Sequence, residues 1–371
     1  MIYLDYNATA PLVPAARAAM LAVMEVGNPS SAQAAGRAAR AVLEGARRTI
    51  AEVLAVAASS VCFTSGATEA NNLALLGSVV AGGHVVTTPI EHASVLGPVR
   101  ELERRGATVS WLPVDAAGRV TADAVAAALR PNTALVSIGW ANGEIGTVQP
   151  IADIAAVCRE RGVLLHVDAA QAVGRLAVSA ADVDFCTIAA HKLGGPVGIG
   201  ALIVRRGVAL QPLLRGGEQE RGLRPGTENA VAAAGFAAAI AARPLSALAG
   251  LRDRLWQEIA DVDGLRRHGP LVGGLPNTLH VGVAGLAGET LVAALDLDGV
   301  CASVGSACAA GSGEPSYVLR AIGCDERAAR GGVRFSLGPQ TTEADVDAAA
   351  AALRRVVERA RGIGDRRAVA G

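Results

Sequence analysis

Residues 163–174 read Val163-Leu164-Leu165-His166-Val167-Asp168-Ala169-Ala170-Gln171-Ala172-Val173-Gly174. A short run of large apolar residues predicts a buried β-strand, and Asp168 falls at its carboxyl end. A carboxylate there is costly unless it is paired or holds a ligand cation. Similar runs recur on either side, at 61–64, 84–88, 109–112, 134–138, 183–189 and 199–204. Helix-period segments lie between them, at 68–80, 93–105 and 151–161. Seven strands alternating with helices predict crossover units, hence an α/β domain whose mainly parallel seven-stranded sheet is covered on both faces. Past about residue 250 the pattern changes to a helix at 251–259, a strand at 278–283, a helix at 289–295, strands at 300–304 and 332–336, and a last helix at 342–360. This predicts a smaller α+β C-terminal domain. The division is 1–15 as an N-terminal segment packing on the small domain, 16–245 as the large domain and 246–371 as the small one. The break falls near Arg243-Pro244, and 362–371 read as a frayed tail.

The 371 residues, 51% of them hydrophobic, suffice for large cores and exclude a disordered chain or a small disulfide scaffold. Thirty-four basic residues balance 34 acidic ones, so nothing draws the chain to nucleic acid or an anionic membrane. The six cysteines form no C-x-x-C pair and the N-terminus shows no basic-then-apolar leader, which predicts a reduced cytoplasmic protein. The longest apolar stretches, 193–204 and 230–242, fall short of the roughly 20 residues that cross a bilayer. The histidines are dispersed, so no metal is expected.

Of the 34 basic residues, 33 are arginine and the single lysine is Lys192. Drift toward arginine on a solvated surface would leave such a remnant. A Schiff base would also require it, because an ammonium can give up its proton on burial and a guanidinium cannot. Lys192 follows the apolar run 183–189, in Ala189-Ala190-His191-Lys192-Leu193-Gly194-Gly195. In a parallel sheet the carboxyl ends share one edge, so Asp168 and Lys192 can converge on one crevice.

At 61–70, Val-Cys-Phe-Thr-Ser-Gly-Ala-Thr-Glu-Ala passes from strand into helix at Ala67-Thr68. It reads either as a turn capped by Ser65 or Thr68, or as an anion cradle of free backbone N–H groups. Amine, carboxylate and phosphate cradle on one edge meet the needs of pyridoxal phosphate; a structural Asp–Lys ion pair is the alternative. Cys308 lies in the run of small residues 301–313, where a loop would expose its thiol, whereas Cys62, Cys158 and Cys186 sit in apolar patterns as inert core residues. Arg334, inside the apolar strand 332–336, wants a carboxylate, either structural or from an amino-acid substrate.

Together these segments resemble the cysteine desulfurases, pyridoxal-phosphate enzymes of the class V aminotransferase group. The resemblance runs from Tyr3 to about Val346. It rests on Tyr3-Leu4-Asp5, Asn7-Ala8-Thr9, Gly27-Asn28-Pro29-Ser30-Ser31, the run 64–72, Glu91-His92, 141–150, 166–174, His191-Lys192, 215–229, Gly305-Ser306-Ala307-Cys308, 314–320 and 333–337. It implies an aspartate-aminotransferase-like fold (pyridoxal-phosphate fold type I), with the catalytic cysteine on a loop at 303–314 of the longer, cluster-assembly kind.

By residue, the resemblance implies Lys192 as the Schiff-base lysine, Asp168 on the pyridinium nitrogen, His92 stacked on the ring and Gln171 near the phenolic oxygen. Ala67, Thr68 and His191 would hold the phosphate, and Thr227 would reach it from a partner subunit. Asn28 and Arg334 would contact the substrate carboxylate, and Cys308 would take sulfur from L-cysteine as a persulfide, leaving L-alanine. The implied partners are a second copy of the chain and a sulfur-acceptor or scaffold protein serving iron-sulfur cluster or thio-modification synthesis. The chain departs from the family pattern at Gly143 (commonly Asn), Ala189 (often Ser), Gln33 (often His) and Val197 (commonly Lys). These departures leave room for a specialised sulfur donor in secondary metabolism. The competing readings are a class V aminotransferase or β-lyase acting on another amino acid, in which Cys308 is dispensable, and a non-catalytic, cofactor-stabilised interaction subunit.

Overall fold

The structure, a computed structural model, describes residues 1–242, 248–305 and 314–369. In chain order the first elements are β1 (Ile2–Tyr3), α1 (Pro14–Ala22), α2 (Ala34–Leu54), β2 (Val61–Thr64), α3 (Ala67–Ser78), β3 (His84–Thr87), α4 (Ala93–Arg104), β4 (Thr108–Trp111), α5 (Ala122–Ala128), β5 (Thr133–Gly139), α6 (Ile151–Glu160), β6 (Leu164–Asp168), β7 (Phe185–Ala189), β8 (Gly200–Val204) and α7 (Ala230–Ala241). The rest are α8 (Leu248–Ile259), β9 (Leu265–His268), β10 (Thr278–Val283), α9 (Gly288–Leu297), β11 (Val300–Cys301), α10 (Tyr317–Ala321), α11 (Glu326–Arg330), β12 (Gly332–Ser336) and α12 (Glu343–Val369).

The expected seven-stranded sheet is present, in the order β2-β8-β7-β6-β5-β3-β4. All its pairs are parallel except those that β8 makes with β7 and β2. Alternate residues of each strand serve opposite faces. Val136, Ile138, Leu165 and Val167 pack with Leu43 and Ile50 of α2 and Phe236 and Ile240 of α7. Val85, Leu135 and Phe185 pack against α3 and α4 through Leu73, Ala74, Val95 and Val99.

A second core gathers β10 and β12 with α8, α9 and α12, and Leu4 of the N-terminal segment inserts into it. In the three-stranded antiparallel sheet β12-β10-β9, His280 lies opposite Arg334 on one side and His268 on the other. Two expectations need correcting. The strand at 300–304 is only β11, because Ser303 leaves that ladder to exchange backbone hydrogen bonds with Arg334 (3.1 and 2.6 Å). The last helix continues to Val369, since Gly362 is not among the glycines with positive φ that would end it. The Arg243-Pro244 break lies outside the described residues.

Edge strand β2 leaves the Val61 carbonyl and the Phe63 N–H unpaired by the sheet. Arg47 Nη1 donates to Val61 O (2.6 Å), and Phe63 N donates to Glu220 Oε2 (2.9 Å). Arg47 and Glu220, both buried, also pair through two 2.8 Å hydrogen bonds. The pair thus caps an edge open to another strand and holds Glu220 and Arg221 at φ of 48° and 60°, a region L-residues rarely adopt. Removing one member strands a buried charge. Glu220→Ala is expected to lower unfolding stability by roughly 3–5 kcal/mol in a denaturant titration.

Candidate active site

Because β2, β3, β5, β6 and β7 run the same way, their carboxyl ends line one edge of the sheet, and a cavity of about 560 Å³ opens there. Of the residues singled out above, Ala67, Thr68, His92, Asp168, Gln171, His191, Lys192 and Arg334 line it. Asn28 and Thr227 do not: both are exposed, and Asn28 Oδ1 accepts from the Ser30 N–H (2.9 Å). Cys308 lies outside the described residues, although Gly305 and Tyr317 on either side of that segment line the cavity.

Lys192 sits in a short 3₁₀ turn directly after β7, and its amine donates to the carbonyls of Asn7 (2.5 Å) and Ala8 (2.9 Å). Burial, then the Arg175 and Arg334 cations, bring its pKa down to about 8, against the opposing pull of Asp168 and Asp5. A neutral amine is therefore accessible near physiological pH.

Asp168 is oriented by Asn71 of α3, which donates to Oδ2 (2.7 Å), and by the Ala170 N–H on Oδ1 (3.0 Å). The same Asn71 amide donates to Ser94 Oγ (2.8 Å), which bonds His92 Nδ1 (2.7 Å). His92 caps α4 by accepting from the Ser94 N–H (3.1 Å), so its Nδ1 is the acceptor and its proton sits on Nε2. One polar chain thus fixes both His92 and Asp168. Sequence reading missed Asn71, although one helical turn separates it from Ala67 and Thr68 on α3, and that spacing was the available signal.

Of the two readings of 61–70, the open cradle is the one present. N-cap Gly66 makes no side-chain cap to α3, and a Cβ built on it would meet nothing within 4 Å. Glu69 is turned away to the Ser65 N–H (2.7 Å) and to Arg224 (2.9 Å). Gly200 lets β8 close on this turn, because a Cβ there would lie 2.7 Å from Gly66. His191, pushed down to about 4 by burial and the neighbouring Lys192 and Arg175, faces the cavity as a neutral ring.

Arg334 has a structural carboxylate in Asp5 (2.6 Å) and also donates to the carbonyls of Gly305 (2.5 Å) and Gly143 (3.1 Å). Its Nε is a buried donor without a partner among the described residues. Gly143 leaves room for Gln171, whose Nε2 would lie 2.7 Å from a Cβ built there and would have to shift for a larger residue. Its carbonyl instead accepts from Asn7 Nδ2 (2.9 Å). Ala189 is buried opposite Gly200, Gln33 is an exposed residue preceding α2, and Val197 is 75% exposed.

The donor set fits pyridoxal phosphate. A depressed amine stands by an oriented carboxylate, an uncapped helix N-terminus faces the cavity, and Gln171 Oε1 is buried without a partner among the described residues. No group of histidine, cysteine and carboxylate residues able to hold a metal is found among the described residues, and none of their helices is long and apolar enough to cross a membrane. Burial pushes the Cys62 and Cys158 thiols up to about 12, and that of Cys186 higher still, as inert core residues require.

The Aminotransferase class-V family model matches residues 2–349. A cysteine desulfurase of Cereibacter sphaeroides is 44% identical over 98% of this chain and 97% of its own. An IscS-like cysteine desulfurase of Mycobacterium tuberculosis is also 44% identical, over 97% of each. Among solved structures, a NifS-like protein superposes with a TM-score of 0.88 at 35% identity, covering 96% of this chain and 99% of that one. SspA in complex with cysteine gives 0.83 at 35% identity, covering 92% and 100%.

Glu91, buried beneath the cavity, accepts from Thr88 Oγ1 (2.7 Å) and from the Gly139 N–H (2.7 Å). Burial nevertheless pushes its pKa up to about 7. A carboxyl raised on folding contributes stability that is complete below its unfolded value and is lost as pH rises through the folded one. Glu91→Gln keeps the neutral shape once the Thr88 hydroxyl turns to accept. Relative to the unsubstituted protein it should gain stability on the order of 2 kcal/mol as pH rises from about 4.5 to 7, read from urea unfolding at a series of pH values.

Proposed function

The chain belongs to the class-V aminotransferase family, and on that footing we infer that it is a pyridoxal-phosphate-dependent cysteine desulfurase that mobilises the sulfur of L-cysteine. The observation that carries this reading is the buried amine of the only lysine, beside Asp168 and facing the open end of α3. When bound, the cofactor supplies an electron sink for carbanion character at the substrate Cα. Ala67, Thr68 and His191 would hold its phosphate, Asp168 its ring nitrogen, His92 its ring and Gln171 its phenolic oxygen.

The chain's own residues do the rest. Lys192, with its pKa near 8, takes the Cα proton and can return it. Arg334 offers its Nε, which has no partner among the described residues, to the substrate carboxylate. Asn28, exposed in the single chain, would join it only through a neighbouring subunit or a closing movement. The Cys308 thiolate attacks the substrate sulfur; the Cβ–S bond breaks as the S–S bond forms. L-cysteine and one protein thiol thereby become L-alanine and a protein persulfide, with no net change in protons or electrons.

The working unit in this reading is a cytoplasmic homodimer. Thr227 lies outside its own chain's cavity and would complete the phosphate site of the partner subunit. The persulfide passes to an acceptor or scaffold protein for iron-sulfur cluster or thio-modification synthesis. The domains divide as 1–15, 16–245 and 246–371, with the cysteine loop at 303–314.

Incubation of the cofactor-loaded protein with L-cysteine under reducing conditions should yield alanine and sulfide in equal amounts. Cys308→Ala should keep the cofactor and release no sulfide; undiminished sulfide would remove Cys308 from the mechanism. Lys192→Ala should lose the absorbance at the edge of the visible that a lysine-linked cofactor gives.

A further inference from the structure

The mechanism above leaves unused a buried acid at the foot of the cysteine segment. Glu144 lines the cavity, accepts a hydrogen bond from the Ser316 hydroxyl and packs under Gly305, where a Cβ would lie 2.7 Å from its Cγ. It therefore touches residues on both sides of the segment that carries Cys308. Behind it, 4.0 Å from Oε1, is Nε2 of His280, fully buried and without a hydrogen-bond partner among the described residues. The other ring nitrogen of His280 meets His268 Nδ1 at 3.0 Å across the β10–β9 ladder. His268 lines a second cavity of about 300 Å³, together with Arg266, Asp325 and Arg327.

The rings are seated by glycines. A Cβ on Gly332 would lie 2.6 Å from the His280 ring, and one on Gly282 would lie 2.8 Å from that of His268. We propose that Glu144, His280 and His268 form a proton relay that runs along one face of the C-terminal sheet and joins the catalytic cavity to the second cavity at its β9 edge. This rests on the desulfurase reading.

The charges around the relay suit a chain of neutral groups. Burial, then His268 and Arg334, hold His280 well below the ordinary imidazole range. Burial and Arg266 lower His268 as well. Burial raises Glu144 to about 7 against the opposing Ser316 hydrogen bond and Arg334 cation, so it can both take and give a proton near neutrality.

An Nδ1···Nδ1 contact at 3.0 Å requires one proton between the rings, so one nitrogen donates and the other accepts. On the outward path the S–H bond of the attacking thiol breaks and a Glu144 O–H forms; rotation of the Glu144 carboxyl closes the 4.0 Å to His280 Nε2 and the proton passes there, while the substrate sulfur keeps its own hydrogen as the outer S–H of the persulfide. His280 Nδ1–H passes its own proton to His268 Nδ1, and His268 Nε2–H releases one to water. Each ring remains neutral and exchanges tautomer. The overall reaction consumes no proton, so the one released when the thiol ionises is matched by one returned to complete the methyl group of alanine. The inward passage restores both tautomers.

The test uses the cofactor-loaded protein. His280→Asn and His268→Ala are each expected to lower kcat for alanine formation by roughly 10- to 100-fold at unchanged KM, and to shrink the solvent deuterium effect on kcat. Free imidazole should restore His268→Ala, whose ring faces an open cavity, and should not restore His280→Asn. Nitrogen-15 spectra of histidine-labelled wild-type protein should show both rings neutral at pH 7 with one N–H shared between the two Nδ1 atoms. The proposal is overturned if His280→Asn keeps wild-type kcat, if either ring is an imidazolium at pH 7, or if the loss in His268→Ala resists imidazole. Failure of the desulfurase reading is distinguishable, because wild-type protein would then make no alanine while the spectra stayed as described.

Discussion

A buried amine without a permanent counter-ion is the constraint on which the site depends. Lys192 is held by two backbone carbonyls, Asn7 O and Ala8 O, rather than by a carboxylate. A carboxylate in direct contact would have stabilised the ammonium; carbonyl dipoles position the nitrogen while burial, then Arg175 and Arg334, press its proton off. Asn7 also ties the two cores together. Its side chain donates to Thr278 and accepts from Asn277, while its carbonyl accepts from Gln171. The N-terminal segment is thus a strap on which the lysine, the cavity wall and the C-terminal sheet are all hung.

Close approach at the cavity edge depends on glycines placed where any side chain would collide. Gly200 brings β8 against the α3 turn, Gly143 makes room for Gln171, and Gly305 rests on Glu144. The departure from the family pattern at Gly143 becomes intelligible here. The Gln171 side chain lies against Gly143 and would have to move aside for an asparagine there, and the Gly143 carbonyl joins Asn7 to Arg334.

Two carboxyls at the cavity, Glu91 and Glu144, are raised toward neutrality by burial, whereas the fully buried His166 is pushed down to about 4. Burial thus favours the uncharged form of each of these three groups, while Asp168, Lys192 and Arg334 carry the charge of the cavity lining.

The sequence by itself determined the sheet and the chemistry carried by it. Apolar runs of strand length, alternating with helical periods, specify a parallel sheet from local pattern alone, and such a sheet must carry Asp168 and Lys192 to the same edge. The lone lysine among 33 arginines pointed to the amine for a reason internal to its chemistry. Other features depend on partners far apart in the chain, and only the tertiary structure decided them. Asn71 meets Asp168, Arg47 meets Glu220, and Asp5 meets Arg334 across separations that no periodicity encodes. The Arg334 reading had remained open between a structural and a substrate carboxylate, and packing of the N-terminal segment supplied the structural one. Strand β9, with its sequence Leu-Arg-Arg-His, carries no alternating signal, so the pairing that sets His268 against His280 could not be read in advance. A residue's type is local, but its pKa and its partner are properties of whatever the fold brings beside it.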